Sequence, residues 1–306
     1  MYMLLRGQPA HTSVAIYSLH TTWGPRGRYT VFHLSLYTRQ RQRTQRSLTK
    51  KPAPTHPHPL THRSLLWSNN IRGQNSLERR SYLLRSLWAA RVSVAFLQET
   101  HFQGLTGPML RDQRFPLGFF ANHKEAKRAV VAILFANHTP FTCTEEKADT
   151  LGRYLFLKGT IVDRQYTFAS IYAPKTKQHN FISKTLRLLE QFREGILIGA
   201  GDLNLLIDPR VDTSKGRSSL PLSCLKATQA ALRDAGLVDS WRVLHPDDRY
   251  FTYYSLVHHG YSCLDYILIA QEYLSLLQTS AILPVTWSDH SPMLTLLTSP
   301  PHKPKG

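Results

Sequence analysis

The stretch Gly-Ile-Leu-Ile-Gly-Ala-Gly-Asp-Leu-Asn, residues 195–204, decides the fold of this chain. Residues 196–200 are an apolar run with the length of a buried strand. Gly201 lets the backbone turn sharply, and the alternation of an extended chain points Asp202 and Asn204 to the same side. An acid can orient a water or a leaving oxygen there, while the amide holds a phosphate oxygen. Taken alone, Gly-Asp and Asn are also ordinary turn residues.

Two other apolar runs end in side chains that suit a metal ion. Residues 92–97 predict a buried strand that emerges at Glu99, and a carboxylate held there by rigid structure suits a hard cation. Residues 65–67 lead into Asn70, whose amide oxygen could complete the ligand shell. Each of these polar groups could instead cap a neighbouring element, so their combination carries the prediction.

The tripeptide Ser-Asp-His at residues 288–290 predicts a turn, because adjacent side chains of a strand point in opposite directions. His290 needs a partner to fix its tautomer, and Asp265 is the candidate. Asp265 lies within an otherwise apolar predicted strand at 264–269, where an unpaired acid is costly. Tyr172 ends a further predicted strand and could donate its hydroxyl to a phosphate, or it could simply fill the core.

The remaining pattern predicts an α/β domain in which helices cover sheets. An N-cap at Ser76 opens a helix with Leu83, Leu84, Leu87 and Trp88 on one face. Further strands are predicted at 130–135, 154–158, 167–172, 251–255 and 293–297, and further helices at 181–192 and 222–235.

Charge divides the chain of 306 residues into unequal parts. Its net charge is +18, and the first 77 residues hold 11 Lys and Arg but no Asp or Glu. The rest holds 27 Lys and Arg against 20 acids, which suits a polyanion such as DNA or only improves solubility. Residues 1–62, basic and rich in Pro and His, predict a disordered leader. A transit peptide, a basic nucleic-acid or nuclear-import arm and a functionless extension all remain open for this leader.

Composition also limits the compartment and the partners. The three cysteines are far apart and form no CxxC pair, so we expect no disulfide-linked partner and a reducing compartment. No apolar run is long enough to span a bilayer, and the start of the chain lacks the apolar region of a signal peptide. We therefore expect no membrane association.

Six motifs in order resemble the endonuclease/exonuclease/phosphatase superfamily. They are Asn-x-Arg-Gly at 70–73, Leu-Gln-Glu-Thr-His at 97–101, Ile-Tyr-Ala-Pro at 171–174, Gly-Asp-Leu-Asn at 201–204, Leu-Asp-Tyr-Ile-Leu at 264–268 and Ser-Asp-His at 288–290. Details such as Phe-Thr-Tyr-Tyr-Ser at 251–255 are similar to the endonuclease domain of LINE-type non-LTR retrotransposon open reading frame 2 proteins. The resemblance covers residues 64–299 and leaves 300–306 as a tail. The chain departs from the usual pattern at Asn69, Gln74, Val130, Lys175 and Cys263.

The resemblance implies a four-layer, DNase-I-like α/β fold, a two-sheet β-sandwich flanked by helices. It implies a DNA endonuclease that depends on Mg²⁺, or on Mn²⁺ in its place, and that nicks DNA to leave a 3′ hydroxyl, in the nucleus. The implied catalytic residues are His290, Asp202, Asn204, Asp265 and Tyr172; Glu99, Asn70 and Asp289 would lie at the metal; Asn204, Tyr172 and Thr252 would bind substrate. The motifs leave open whether Asp202 or His290 is the base. A phosphatase of the same superfamily, or a truncated and inactive nucleic-acid-binding relic, remains an alternative.

Overall fold

Two six-stranded sheets organise Pro59–Gly306, the larger of the two units into which the chain divides. The computed structural model describes residues 14–24, 27–37, 62–73, 76–101, 110–121, 131–285 and 288–299. The strands are β1 (Val14–Gly24), β2 (Gly27–Tyr37), β3 (His62–Asn70), β4 (Val94–Gln98), β5 (Leu117–Ala121), β6 (Val131–Phe135), β7 (Phe141–Ala148), β8 (Tyr154–Ile161), β9 (Arg164–Tyr172), β10 (Ile196–Asp202), β11 (Leu237–Asp239), β12 (Tyr253–Ser255), β13 (Gly260–Ser262), β14 (Asp265–Ala270), β15 (Leu277–Ile282) and β16 (Met293–Ser299). The helices are α1 (Leu77–Ala89), α2 (Gln178–Phe192), α3 (Pro209–Asp212), α4 (Leu222–Asp234) and α5 (Ser240–Leu244), and a 3-10 helix spans Gln271–Leu276.

Each large sheet holds a parallel pair of strands among antiparallel neighbours. The first sheet has the order β11-β14-β10-β9-β8-β7, and the second has the order β15-β16-β3-β4-β6-β5. In the first, β9 runs parallel to β10 with Tyr172 opposite Asp202, and β14 places Asp265 opposite Asp202. In the second, β3 runs parallel to β4 with Asn70 opposite Gln98. The polar residues at these strand ends therefore become neighbours within each sheet.

The two sheets pack face to face through aromatic and branched side chains. Phe96 and Phe135 of the second sheet meet Phe168 and Ile267 of the first, and all four are almost fully buried. The rings of Phe135 and Phe168 contact edge to face, with centroids 5.3 Å apart. Large apolar side chains at this depth supply most of the favourable free energy of such a core.

Helices cover the outer face of each sheet. Leu189 of α2 and Leu232 of α4 pack against the first sheet in one apolar cluster with Leu197. Leu83 and Leu87 of α1 pack against the second sheet in another. The order helix, sheet, sheet, helix confirms the predicted fold class, a four-layer α/β sandwich of two sheets flanked by helices.

Helix α1 begins where the sequence predicts. Ser76 is its N-cap, and the Ser76 hydroxyl accepts a hydrogen bond from the backbone N–H of Arg79 at 3.2 Å. Leu83, Leu84 and Leu87 are buried, as predicted. Trp88 lies one turn beyond Leu84, at the rim of this face, and is 40% exposed.

The four edge strands of the large sheets are among the elements that the sequence does not predict. They are β5, β7, β11 and β15. An edge strand pairs on one side only and exposes much of its surface, so its sequence carries a weak apolar signal. In β7, for example, Phe141 is buried whereas Glu145 and Glu146 are exposed.

The smaller unit, Met1–His58, contains an antiparallel pair formed by β1 and β2. These strands cover part of the segment that the sequence predicts to be a disordered leader, and that prediction stays a prediction. The predicted tail at 300–306 lies outside the described residues. In the part of the chain that the structure describes, no helix combines the length and the apolar character needed to cross a membrane.

Candidate active site

A cleft of about 500 Å³ opens where β3, β4, β9 and β10 end. Six of the predicted site residues line it: Asn70, Glu99, Asp202, Asn204, Asp289 and His290. Several basic side chains share its wall: Arg72, Lys175, Lys215 and His258. Residues from 70 to 290 in the chain thus meet in one place, because both parallel strand pairs end at this edge.

Two acids and an imidazole form the buried end of the cleft. His290 Nδ1 lies 2.7 Å from an Asp265 carboxylate oxygen, and His290 Nε2 lies 4.0 Å from Asp202. Asp265 is fully buried, and its second carboxylate oxygen has no hydrogen-bond partner. The predicted pairing of His290 with Asp265 is therefore present in the geometry.

The net effect of burial and neighbouring charges is to raise the pKa values of both Asp202 and His290. Burial raises the pKa of Asp202 to about 7, and the neighbouring Asp265 adds to the increase. Burial lowers the pKa of His290, but the charges of Asp265 and Asp202 and the hydrogen bond with Asp265 outweigh it and raise this pKa to about 9. The imidazole is consequently a cation at neutral pH, beside an acid that can take up or release a proton there.

Glu99 approaches the cleft from the end of β4 in a left-handed conformation, with φ of 53°. Its carboxylate accepts a hydrogen bond from the Tyr172 hydroxyl at 2.5 Å and lies 3.4 Å from His101 Nε2. Burial raises the pKa of Glu99, but hydrogen bonds from Tyr172 and Asn70, with the charge of His101, leave it below its usual value. Glu99 is therefore ionised at neutral pH and can serve as a ligand for a hard cation.

Asn70 joins the two sheets at the floor of the cleft. Its amide nitrogen donates to Asp202 at 3.0 Å, from β3 to β10, and its amide oxygen accepts from the Arg72 N–H at 3.2 Å. The guanidinium of Arg72 pairs with Asp289 at 2.7 Å. Asp289 is thus near Asn70, but in this structure its charge is balanced by an arginine that sequence reasoning did not single out.

Asn204 needs an unusual backbone to face the cleft. The residue is left-handed, with φ of 50°. Its N–H donates to Asp202 at 2.9 Å, and its side-chain amide donates to the Ala173 carbonyl at 2.8 Å. The turn before it requires Gly201, since a Cβ there would lie 1.8 Å from the Ile171 carbonyl oxygen. The expected sharp turn at Gly201 is present.

The Ser-Asp-His turn is tied to β3 by two hydrogen bonds and is held internally by a third. The Ser288 hydroxyl donates to the Asn70 carbonyl at 2.6 Å and accepts from the His290 N–H at 3.2 Å. The side-chain amide of Asn69 donates to the His290 carbonyl at 3.2 Å. Asn69, one of the departures from the family pattern, thus holds the turn in this chain, and only its unusual identity signalled it.

Thr252 lies behind the cleft and does not line it. Its buried hydroxyl accepts hydrogen bonds from the N–H groups of Leu264 and Asp265 at 3.0 and 3.2 Å. Its carbonyl accepts from the N–H of Ser291 at 2.7 Å. These contacts fix Asp265 and the Ser-Asp-His turn, and the predicted substrate-binding role of Thr252 stays a prediction.

Two donor sets in the cleft could hold a metal ion. The ligand atoms of Asp202, Asp265 and His290 lie within 4.8 Å of one another, but two of these residues already hydrogen-bond each other. The other set consists of oxygen donors: the ionised Glu99, the Asn70 amide and Asp289. Oxygen ligands of this kind suit Mg²⁺ and Mn²⁺.

Solved structures with a similar fold include AP endonucleases. The AP endonuclease LMAP from Leishmania major superposes with a TM-score of 0.65 at 15% sequence identity, covering 78% of this chain and 88% of that chain. The catalytic domain of Xenopus laevis APE2 gives 0.59 at 17%, covering 79% and 94%. An AP endonuclease from Archaeoglobus fulgidus gives 0.60 at 16%, covering 76% and 99%.

The fold of this chain is the DNase-I-like fold of these AP endonuclease structures. No protein-family model matches the sequence. At identities of 15 to 17% the likeness shows the fold alone, so any activity has to be argued from the residues of the cleft.

Proposed function

We propose that this chain is a metal-dependent DNA endonuclease that nicks one strand and leaves a 3′ hydroxyl. One observation carries the proposal: the Asp202, Asp265 and His290 group shares a single cleft with Glu99 and Asn70. A buried cation, a buried acid and a separate ionised carboxylate are the groups needed to attack a phosphodiester and to balance its charge.

Charge supports DNA as the substrate. Arg72, Lys175 and Lys215 line the cleft, and residues 78–306 carry more Lys and Arg than acids. Phosphate neutralisation by such groups supplies most of the non-specific affinity for DNA. A small phosphoester would need fewer of these contacts, which favours the endonuclease over the phosphatase.

The oxygen donors of the cleft fit a divalent metal. Glu99, Asn70 and Asp289 would hold Mg²⁺, or Mn²⁺ in its place, and Glu99 is ionised in advance because its pKa is lowered. A cation bound there neutralises charge that develops on the phosphate and on the leaving oxygen. Asp289 would exchange its partner Arg72 for this cation, which frees the guanidinium to meet the DNA backbone.

The protein groups have complementary tasks in the proposed reaction. Water attacks the phosphorus, the bond from phosphorus to the 3′ oxygen breaks, and the 3′ oxygen gains a proton from solvent, so the products are a 5′ phosphate and a 3′ hydroxyl. Asp202, with its pKa near 7, would take the proton from the attacking water. The His290 imidazolium, held by Asp265, would stabilise the negative charge at phosphorus. Asn204 would hold a phosphate oxygen, and Tyr172 would do the same once a cation replaces its hydroxyl as the partner of Glu99.

The six motifs support a finer assignment, target-site cleavage as in LINE-type retrotransposons, with a nuclear location. DNA that carries abasic sites is a second candidate substrate, because AP endonucleases are among the proteins that share the fold. The two candidates share the reaction and differ in the DNA that is cut. Intact and depurinated plasmid therefore distinguish them.

The test is the conversion of supercoiled plasmid to open circles. We expect nicking of intact plasmid in Mg²⁺, none with a chelator, and a loss of about 10³-fold in Glu99→Ala. Glu190→Ala, an exposed acid paired with Arg193 on α2, is the matched control and should keep full activity. Cutting of depurinated plasmid alone would support the abasic substrate. Release of phosphate from a small phosphoester without nicking would support the phosphatase, and DNA binding without nicking would support the inactive relic.

A further inference from the structure

We infer that Gln178 is a positioning residue that acts through Asn204. This inference rests on the proposed function, in which Asn204 holds an oxygen of the phosphate. Gln178 is the first residue of α2, it is 8% exposed, and nothing in its sequence context marks it as a site residue. Its side-chain amide donates a hydrogen bond to the backbone carbonyl of Asn204 at 3.0 Å.

The backbone of Asn204 is left-handed, with φ of 50°, and hydrogen bonds with its neighbours fix this conformation. Few residues with a Cβ adopt it, although asparagine does so more readily than most. Hydrogen bonds to Asp202 and Ala173 fix its N–H and its side chain. Neither fixes the peptide group that follows Asn204. Gln178 does so by binding the carbonyl of that peptide group, and thereby holds the rotation about the Asn204 Cα–C bond.

The local design of α2 agrees with this role. The residue before the helix, Lys177, is left-handed and provides no side-chain cap. The amide of Gln178 reaches away from its own helix to Asn204, 26 residues later in the chain. A buried amide is unfavourable unless it is paired, so an apolar side chain would suit a purely structural position better.

Gln229 of α4 offers a matched control, because its side chain bonds to the loop that contains Asn204. Its side-chain amide donates to the carbonyl of Ile207 at 2.8 Å, from α4, in a similar partly buried setting. Ile207 lies three residues beyond Asn204 and does not line the cleft. Gln178 and Gln229 therefore make the same kind of bond to one loop, and only the first bond reaches a residue of the site.

The experiment compares Gln178→Met with Gln229→Met in plasmid nicking. Methionine keeps the size of the side chain and removes the donor. We expect kcat to fall about 3- to 10-fold in Gln178→Met with KM unchanged within about twofold, because the bond orients a group that acts in the transition state. Gln229→Met should keep both constants. Equal losses in the two variants would overturn the inference, since the effect would then belong to the loop as a whole.

A double-mutant cycle with Asn204→Ala separates positioning from general stability. If Gln178 acts through Asn204, Gln178→Met lowers kcat no further in the Asn204→Ala background. An additive loss would overturn the inference.

If Gln178→Met lowers the thermal midpoint so far that it unfolds, Gln178→Glu, which keeps the shape and removes the donor, takes its place. If wild type and Gln178→Met nick equally well, this inference alone is contradicted. If wild type does not nick, the proposed function is contradicted.

Discussion

Two groups of side chains that contain buried acids lie on or next to the first sheet. They differ in the side chain that balances the negative charge. The open acid cluster consists of Asp202, Asp265 and His290, at the end of the cleft. The closed acid cluster consists of Asp212, Arg242 and Tyr266, beneath the loop that follows β10. All three aspartates are at most 2% exposed, so burial alone does not distinguish a site from a structural ion pair.

In the closed acid cluster, both carboxylate oxygens of Asp212 accept hydrogen bonds. One carboxylate oxygen accepts from Arg242 at 2.8 Å. The other accepts from the N–H groups of Ile207 and Asp208 at 3.1 and 2.7 Å. The guanidinium of Arg242 also donates to three backbone carbonyls between residues 245 and 248. Asp212 has a partner that is always charged, and both of its oxygens are bonded. It therefore stabilises the loop and is poorly suited to bind a ligand.

The open acid cluster lacks such a partner. Asp265 has an oxygen without a hydrogen bond, and the positive charge opposite both acids is an imidazole that can lose its proton. Burial and the nearby charge of Asp265 raise the pKa of Asp202, and two like charges held this close weaken the fold. An arginine partner stays charged and holds an acid in a structural ion pair. A histidine partner can lose its proton, so the acid beside it can still take part in a reaction.

The largest effect should come from Asp202→Asn, with opposite signs for activity and stability. We expect nicking to fall about 10³-fold, because the proton acceptor is lost. The pKa of Asp202 is raised on folding, so its ionised form weakens the fold as pH rises through about 7. At pH 8 the variant should therefore be more stable by about 1 kcal/mol, and the gain should vanish near pH 4. Urea unfolding and plasmid nicking measure both effects, and a variant that is active or less stable would break the comparison.

Arg242→Met should show the reverse behaviour in the closed acid cluster. Removal of one partner of a buried ion pair leaves Asp212 without its cation and should lower the free energy of unfolding by about 3 kcal/mol. Nicking per folded molecule should remain within about twofold of wild type. Urea unfolding gives the first quantity, and nicking rates scaled to the folded fraction give the second. A large loss of activity without loss of stability would mean that the closed acid cluster takes part in the reaction.

The smallest expected effect is a change in the pH dependence of nicking in Asp265→Asn. Asp265 raises the pKa of His290 to about 9 against the opposing effect of burial, so the imidazolium persists to high pH in the wild type. Without this charge the pKa falls, and the alkaline fall in the nicking rate should move down by about one pH unit or more. The rate at neutral pH should drop about tenfold. Rate profiles from pH 6 to 10 check this, and profiles that fall at the same pH would show that His290 does not act as a cation.

The sequence predicts the groups that carry the chemistry better than the groups that hold them. Apolar runs marked Glu99 and Asp202, since each follows a predicted strand, and the ordered motifs marked His290 in a predicted turn. Asn69 and Gln178 were missed as supports because they bind main-chain carbonyls 221 and 26 residues away, and main-chain contacts leave no trace in residue type. The contacts of Thr252 were missed for the same reason. Its hydroxyl binds backbone N–H groups that no motif reveals.

The fold shows the same limit. The central strands of both sheets were predicted from continuous apolar runs such as residues 92–97. The edge strands β5, β7, β11 and β15 were not, since exposed edges tolerate polar residues. Asp212 and Arg242 carried no sequence signal for their ion pair, because 30 residues separate them. Pairing across such distances follows from the topology, which becomes visible only in three dimensions.

The most direct measurement is the nicking rate of supercoiled plasmid in Mg²⁺ for wild type, His290→Ala and Arg242→Met, each scaled to its folded fraction. We expect wild type and Arg242→Met to produce open circles at similar rates, with 3′ ends that a DNA polymerase extends. His290→Ala should be slower by at least about 10²-fold. Equal rates for wild type and His290→Ala, or no nicking by any of the three, would contradict the account.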